Sequence, residues 1–224
     1  MTLNKKIKHA QKIIKQAHQQ WPSDQQVVAW TGGKDSTVIL HLIREIFNQQ
    51  IPFKVLFNDS TIEFPEIYQF IKQLSNDWQF NLITIKHSPQ DLKKYHQAKN
   101  KTQQTKIIRL AKIKAITKAV KKHQLKAIFS GIRWDEHPAR SQEKYFSLRK
   151  NHTRIHPILH FTFKDIWRYI KQKKVPYVSL YDQGYKSLGE APLTKPVSSQ
   201  APERAGRDPG KEKVMARLRQ LGYW

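Results

Sequence analysis

The feature that most constrains the fold is a short apolar run that ends in two glycines and leads into helical periodicity. Val27-Val28-Ala29-Trp30 has the length of a buried strand, and Thr31-Gly32-Gly33 follows it directly. After the glycines, apolar residues recur from Ile39 to Phe47 at the three- and four-residue spacing of an amphipathic helix. A strand, a tight turn and a helix in this order predict the start of a parallel β-α-β unit.

The same alternation continues along the chain. The predicted strands are 27–30, 53–57, 82–85 and 127–131, and the predicted helices are 3–20, 39–47, 65–78, 107–120 and 164–171, with a last helix near 212–221. This order predicts an α/β fold with a Rossmann-like parallel sheet and helices on both faces, because parallel strands need crossover connections. We divide the chain into an N-terminal helix (1–24), an α/β domain (25–183) and a C-terminal extension (184–224).

The composition excludes several classes of functional site. The 224 residues contain no cysteine, which excludes disulfides, thiolate metal sites, iron–sulfur clusters and a thiol nucleophile within them. The first eight residues carry no continuous apolar stretch, so we expect no signal peptide, and no window predicts a membrane span. We therefore expect a soluble cytoplasmic protein.

The charge of the chain is unusual. There are 41 Lys and Arg against 17 Asp and Glu, a formal net charge of +24. Half of that excess lies in 86–126, where Asp91 is the single acid; we predict a mobile loop through Gln104 and then a lysine-studded helix. Two interpretations stay open, a solvated basic surface or attraction to polyanions. We expect at most weak, sequence-independent binding of nucleic acid.

The segment after the first strand predicts an anion site. Gly32 and Gly33 permit close backbone approach to phosphate oxygens, and the N–H groups at the following helix start point toward such a ligand. Lys34 adds a positive charge, while Ser36 and Thr37 add hydroxyl donors. The usual P-loop has four residues between its glycines, which this loop lacks, and the dinucleotide fingerprint is absent as well.

These residues resemble a known family. Thr31-Gly32-Gly33-Lys34-Asp35-Ser36 is similar to the pyrophosphate-binding loop Ser-Gly-Gly-x-Asp-Ser of the adenine-nucleotide α-hydrolase superfamily. Gly131-Ile132-Arg133-Trp134-Asp135-Glu136, Asp165-Ile166-Trp167 and Glu203-Arg204-Ala205-Gly206-Arg207 resemble the phosphoadenosine phosphosulfate (PAPS) reductase branch, in particular the small subunit of bacterial ATP sulfurylase. Between Arg149 and Ile155 the chain is much shorter than that subunit.

The resemblance implies an enzyme that binds ATP and Mg²⁺, directs a small anion, sulfate first, at the α-phosphate and releases pyrophosphate. The acceptor alternatives are a nucleic-acid base or FMN, and the implied partner is a GTPase large subunit or a second copy of the chain. Because PAPS and adenosine 5′-phosphosulfate reductases use a cysteine thiolate, the absence of cysteine predicts that the chain is not a thiol-dependent reductase.

The same resemblance assigns residues. Lys34 and Arg133 are the implied catalytic residues, and Asp35 and Asp135 are the implied metal ligands. The implied nucleotide-binding residues are Thr31, Gly32, Gly33, Lys34, Asp35, Ser36, Thr37, Asp59, Gly131, Arg133 and Arg140.

Other polar residues are weaker candidates. Glu136, Arg149, Arg204 and Arg207 carry charges of the right kind, and the last two lie in a tail that either closes over the site or is disordered. His137, His152, His156 and His160 look like a cluster, but Pro157 breaks the helix that an i, i+4 metal site would need. We expect these histidines to be structural or exposed.

Overall fold

A six-stranded sheet forms the centre of the computed structural model, which describes residues 1–221. The strands are β1 (Gln26–Ala29), β2 (Lys54–Asp59), β3 (Leu82–Lys86), β4 (Ala127–Phe129), β5 (Phe146–Leu148) and β6 (Thr153–Ile155). Their order is β3-β2-β1-β4-β6-β5, and every neighbouring pair is parallel except β5 and β6. The predicted α/β fold is confirmed, with one antiparallel strand at its edge.

Helices cover both faces of the sheet. They are α1 (Leu3–Gln20), α2 (Lys34–Ile46), α3 (Pro65–Trp78), α4 (Pro89–His96), α5 (Lys101–Lys122), α6 (Phe163–Lys173), α7 (Pro209–Glu212) and α8 (Met215–Gln220). Side chains alternate between the faces along a strand, so the neighbours Val27 and Val28 enter different cores. Val28 packs in a large core with α1, α2, α3 and α6, whereas Val27 packs with Ala119 and Val120 of α5.

The N-terminal helix is part of the main core. Ala10, Ile13, Ile14 and Ala17 lie on one face of α1 and are buried. At the polar margin of this face, Lys6 Nζ donates to Asp165 Oδ2 at 2.6 Å, which joins α1 to the start of α6.

The predicted loop at 86–104 is wrong. Residues 89–96 form α4, and α5 already begins at Lys101. Ser88 Oγ accepts from the N–H of Asp91 at 3.1 Å, and Pro89 occupies the first helical turn, where it loses no hydrogen bond. Tyr95 is buried, so a single aromatic anchor and a good cap are sufficient for a helix with little apolar periodicity.

Two further differences lie near the C-terminal side. Strands β5 and β6 are three residues each, too short for alternation to reveal them, and they pair through the register Ser147 to Arg154. The last helix, predicted near 212–221, is α8, and a separate short helix, α7, precedes it. Within residues 1–221, no helix combines the length and the apolar character needed to cross a bilayer.

Candidate functional site

The turn between β1 and α2 lies at the carboxyl edge of the parallel strands. Gly32 has a φ of +73°, a conformation that favours glycine, and a Cβ there would lie 3.2 Å from Ile67 Cδ1. Gly131, which follows β4, packs against the start of α2 so closely that a Cβ would lie 2.8 Å from the Ser36 nitrogen. Two segments far apart in sequence thus form one backbone wall.

Side chains at the start of α2 hold this turn in place. Ser36 Oγ and Thr37 Oγ1 each donate to the Gly33 carbonyl oxygen at 3.0 Å. Trp30 Nε1 donates to Thr37 Oγ1 at 3.0 Å, and the N–H of Lys34 donates to the Tyr181 hydroxyl at 2.9 Å. The two hydroxyls that sequence reasoning assigned to a nucleotide therefore hold the loop in this structure, and Tyr181 is an addition it missed.

Lys34 and Arg133 form the charged centre of the site. Their side chains are 1% and 0% exposed. Lys34 Nζ donates to Asp35 Oδ2 at 2.8 Å and to Glu203 Oε1, whereas Arg133 donates to Asp35, to Glu203 and, through Nε at 2.9 Å, to Asp135. Burial opposes both charges, but the surrounding carboxylates outweigh it and raise the pKa of Lys34 and of Arg133. Both groups stay protonated.

A second layer of charges surrounds this centre. Glu136 accepts from Arg140 and, at 3.1 Å, from Arg204 Nη1, and Arg204 also holds Glu212 through Nε and Nη2 at 2.6 and 2.8 Å. Although burial favours the neutral acid, Arg140, Arg133 and Arg204 lower the pKa of Glu136. The C-terminal extension closes over the site through these contacts.

The carboxylates do not have the arrangement that was predicted for a metal. Oxygen atoms of Asp35, Glu136 and Glu203 lie within 4.8 Å of one another, whereas Asp135 lies outside this group, and its Oδ2 accepts from the Phe163 N–H at 2.8 Å. Carboxylate oxygens suit Mg²⁺. Each acid of the group already accepts from Lys34 or an arginine, however, so these residues as arranged do not fit a divalent cation. Mg²⁺ and ATP stay predictions.

A cavity of about 200 Å³ extends from the loop toward a second charged cluster. There Glu190 Oε1 and Oε2 lie 3.8 and 3.9 Å from the amino groups of Lys112 and Lys211. Burial favours the neutral acid, but Lys211, Lys112 and Arg207 lower the pKa of Glu190. Sequence reasoning missed Lys211 and Glu190, and it gave Lys112 only as one of the lysines of the basic helix, not as a residue of this cavity.

Several other residues that were predicted for the site make structural contacts instead. Asp59 ends β2 as predicted, but its Oδ1 accepts from the Thr61 N–H at 2.7 Å and from the Tyr68 hydroxyl at 2.8 Å. Arg149 pairs with Glu143 at 3.4 Å, away from the loop. The histidines do not converge.

Two of those histidines show why. His156 Nδ1 contacts Ser130 Oγ at 2.8 Å, whereas His160 Nδ1 contacts the Tyr145 hydroxyl at 3.1 Å. The two rings thus have different partners, and in residues 1–221 the one group of three potential metal ligands contains no histidine.

Comparison with known proteins assigns the family. The phosphoadenosine phosphosulfate reductase domain family matches residues 25–196, more than half of the chain. The chain belongs to this family.

Several similar proteins are named as reductases. An adenosine 5′-phosphosulfate reductase of Anoxybacillus flavithermus is 30% identical over 198 residues, which cover 86% of this chain and 82% of the relative. Adenosine 5′-phosphosulfate reductase 1 of Bacillus subtilis is 28% identical over 215 residues, which cover 92% and 89%. A crystal structure of the PAPS reductase of Candida auris with phosphate has the same fold, with a TM-score of 0.69, 22% identity and coverage of 83% and 90%.

These relatives correct the predicted activity. Sulfate adenylyl transfer, and with it the wider prediction of a nucleotidyltransferase that attacks the α-phosphate of ATP, is wrong, because the relatives over most of the chain's length are named as reductases. The prediction that the chain is not a thiol-dependent reductase is overturned by the same finding. The missing cysteine removes a thiol nucleophile from these residues, but it says nothing about thiols on other molecules.

Proposed function

We propose that this chain binds an adenylyl sulfate, with adenosine 5′-phosphosulfate as first choice, and promotes reductive release of its sulfo group. The observation that carries the proposal is the buried pair Lys34 and Arg133, whose cationic groups are held by a carboxylate from the chain's own tail. A phosphate or sulfate oxygen has the charge and the acceptor geometry to take the place of that carboxylate. Membership of the PAPS reductase family and the names of its relatives support the choice of substrate.

The chemistry needs a thiol from outside these 224 residues, because they contain no cysteine. A thiolate attacks the sulfo sulfur, the bond from that sulfur to the bridging oxygen breaks, and AMP leaves with the electron pair. A second thiolate then attacks the thiol sulfur of the S-sulfonate and releases sulfite, so sulfur(VI) becomes sulfur(IV) while two thiols become a disulfide. The role of this chain is to bind, orient and neutralise the charge of the nucleotide.

The cations of the site suit that role. Lys34 and Arg133 would balance the phosphate and sulfo charges, and Arg133 offers the planar fork that matches such oxyanions. Gly32 and Gly131 lack a Cβ, and this lets the backbone of the loop and of the segment after β4 pack closely at the site. No step requires a nucleophile from this chain.

Two measurements test the proposal. Calorimetric titration should show adenosine 5′-phosphosulfate binding more tightly than AMP, because the sulfo group adds three acceptor oxygens for the cationic pair. Incubation with dithiothreitol or reduced thioredoxin should then give sulfite and AMP in equal amounts, and Lys34→Gln should reduce both binding and product. Absence of binding refutes the proposal as a whole, whereas binding without sulfite retains the ligand and refutes the reaction.

The closer likeness to the sulfurylase small subunit stays a hypothesis about shared motifs, and a GTPase-like partner or a homo-oligomer stays a prediction. A cytoplasmic location is part of this proposal, because thiol reductants are abundant in a reducing compartment.

A further inference from the structure

A large basic groove lies at the opposite edge of the sheet from the site. It has a volume of about 1280 Å³ and runs between the C-terminal half of α5 and the connection from β5 to β6. Its floor includes Gln25 and Lys126, which directly precede β1 and β4. These residues mark the amino ends of the parallel strands, so the basic groove is separate from the cavity at their carboxyl ends.

The charge of the basic groove has one sign. Of the eighteen described residues that line it, seven are Lys or Arg and none is Asp or Glu. Lys118, Lys121, Lys122, Lys126 and Lys150 are exposed, and within residues 1–221 none of their amino groups has a carboxylate within ion-pair distance. Three of the chain's 17 acids, Asp35, Glu136 and Glu203, are paired with cations at the other edge of the sheet.

The spacing of the lysines suits a repeating polyanion. Lys114, Lys118, Lys121 and Lys122 recur at intervals of four, three and one residues, so they share one face of α5. Lys114 Nζ pairs with Asp91 Oδ1 at 2.9 Å, so among the described residues the other three lysines carry the unpaired charge of this row. At 1.5 Å of rise per residue, this row spans about 12 Å along the helix. One strand of nucleic acid carries a negative charge about every 3.4 Å of axis, so the row meets several phosphates at once.

Apolar groups in the groove favour single strands. Leu148 on the wall opposite α5 is 81% exposed, and Trp21 at the same end is half-buried with its ring stacked on Phe146 at a centroid distance of 6.4 Å. Bases that are unstacked from a partner strand reach such surfaces, whereas paired bases do not. Lysine is depleted in protein–protein interfaces, which argues against an acidic protein as the occupant.

We propose that the basic groove binds single-stranded nucleic acid through its phosphate backbone. The binding is independent of base sequence, because lysines contact phosphates and Leu148 offers no hydrogen bonds to base edges. The dissociation constant at physiological salt should lie in the range typical of non-specific complexes, about 10⁻⁴ to 10⁻⁶ M.

Fluorescence anisotropy with a labelled 20-nucleotide RNA tests the proposal at several salt concentrations. The variant combines four charge removals in the basic groove: Lys118→Gln, Lys121→Gln, Lys122→Gln and Lys150→Gln. The matched control removes four exposed lysines of α1 with the same change of net charge: Lys5→Gln, Lys8→Gln, Lys12→Gln and Lys15→Gln. All eight side chains are exposed, so both proteins should keep the wild-type melting temperature.

We expect the groove variant to bind the RNA at least about 10-fold more weakly than wild type. The plot of log K against log salt should also become less steep by about 2.8, or 0.7 for each of the four lost phosphate contacts. The control should lose less than about 3-fold. Equal losses in both variants would show diffuse attraction and overturn the site. Tighter binding of a duplex would overturn the preference for single strands, and equal competition by polyglutamate of the same charge would assign the basic groove to acidic proteins instead.

Discussion

Glu203 occupies the position where we expect a substrate anion, so its removal should tighten binding. In Glu203→Gln the side chain keeps its shape, but the charge that contacts Lys34 and Arg133 is lost. A hydrogen bond to a charged group contributes about 1.5–3 kcal/mol. Glu203 makes two such bonds, but burial and the nearby Asp35 oppose its charge. We therefore expect its removal to favour ligand binding by the energy of about one such bond.

That difference corresponds to roughly 10- to 100-fold tighter binding of adenosine 5′-phosphosulfate, since about 1.4 kcal/mol is a factor of ten. Isothermal titration calorimetry at pH 7.5 measures it. Glu45→Gln is the matched control, because Glu45 pairs with Lys173 on the surface, at 2.7 Å, and its loss changes net charge equally. Affinity that is unchanged or weaker in Glu203→Gln, relative to that control, would refute the idea that the tail carboxylate competes with the ligand.

The same competition has a pH dependence. Burial, with Asp35 and Glu136 nearby, raises the pKa of Glu203 against the opposing pull of Lys34 and Arg133. As the pH falls toward that raised pKa, Glu203 takes up a proton and releases the two cations. The affinity of wild type should therefore increase toward that of the variant at lower pH, while the variant changes less.

Three other predictions concern the backbone wall, the anion contact and a buried histidine. Gly131→Ala should lower the free energy of unfolding by about 1–3 kcal/mol, because the added Cβ would lie 2.8 Å from the Ser36 nitrogen. Urea unfolding measures this change. Gly210→Ala is the control and should change the free energy little, because the nearest atom to its added Cβ, Asp208 Oδ1, lies 3.4 Å away. Arg133→Lys should weaken binding of adenosine 5′-phosphosulfate at least about 10-fold, since lysine loses the bidentate fork; calorimetry showing equal affinity would contradict this. Burial lowers the pKa of His156 to about 3 from 6.5, so its stabilising effect is complete above pH 6.5 and is lost as the pH falls below it. Below pH 6.5 this group alone should lower the free energy of unfolding by up to about 1.4 kcal/mol per pH unit. Urea unfolding of wild type and His156→Gln between pH 6.5 and 5 checks this, because the free energy of the variant should fall less steeply with pH by up to that amount.

Local signals explain which parts of the site the sequence could predict. The turn at Gly32-Gly33 and the cations that follow are encoded within a few residues, and Arg133 lies just beyond the predicted strand 127–131, so both were found. Glu203 was missed as an ion-pair partner because it lies 169 residues from Lys34 in the chain, and no periodicity reports a contact of that length. The paired cluster at Glu190 was missed for the same reason.

Local sequence patterns also explain which strands and helices could be predicted. Strands β1 to β4 lie in short apolar runs and were predicted to within a few positions, whereas β5 and β6, whose sequences Phe-Ser-Leu and Thr-Arg-Ile are interrupted by polar residues, were not. Helix α4 depends on the Ser88 cap and on the burial of Tyr95 rather than on a repeating apolar pattern. The predicted activity failed for a different reason, since cysteine content describes the atoms of one chain and not the molecules that it meets.

The contacts of helix α1 have a consequence for synthesis of the chain. Lys6 finds Asp165 only across 159 residues, and His9 packs against Tyr145 and His160. At about 5–20 residues per second, roughly 8–32 s pass between translation of Lys6 and that of Asp165. During this interval the N-terminal half of α1 lacks these partners, so the side chains that they later cover are open to a chaperone.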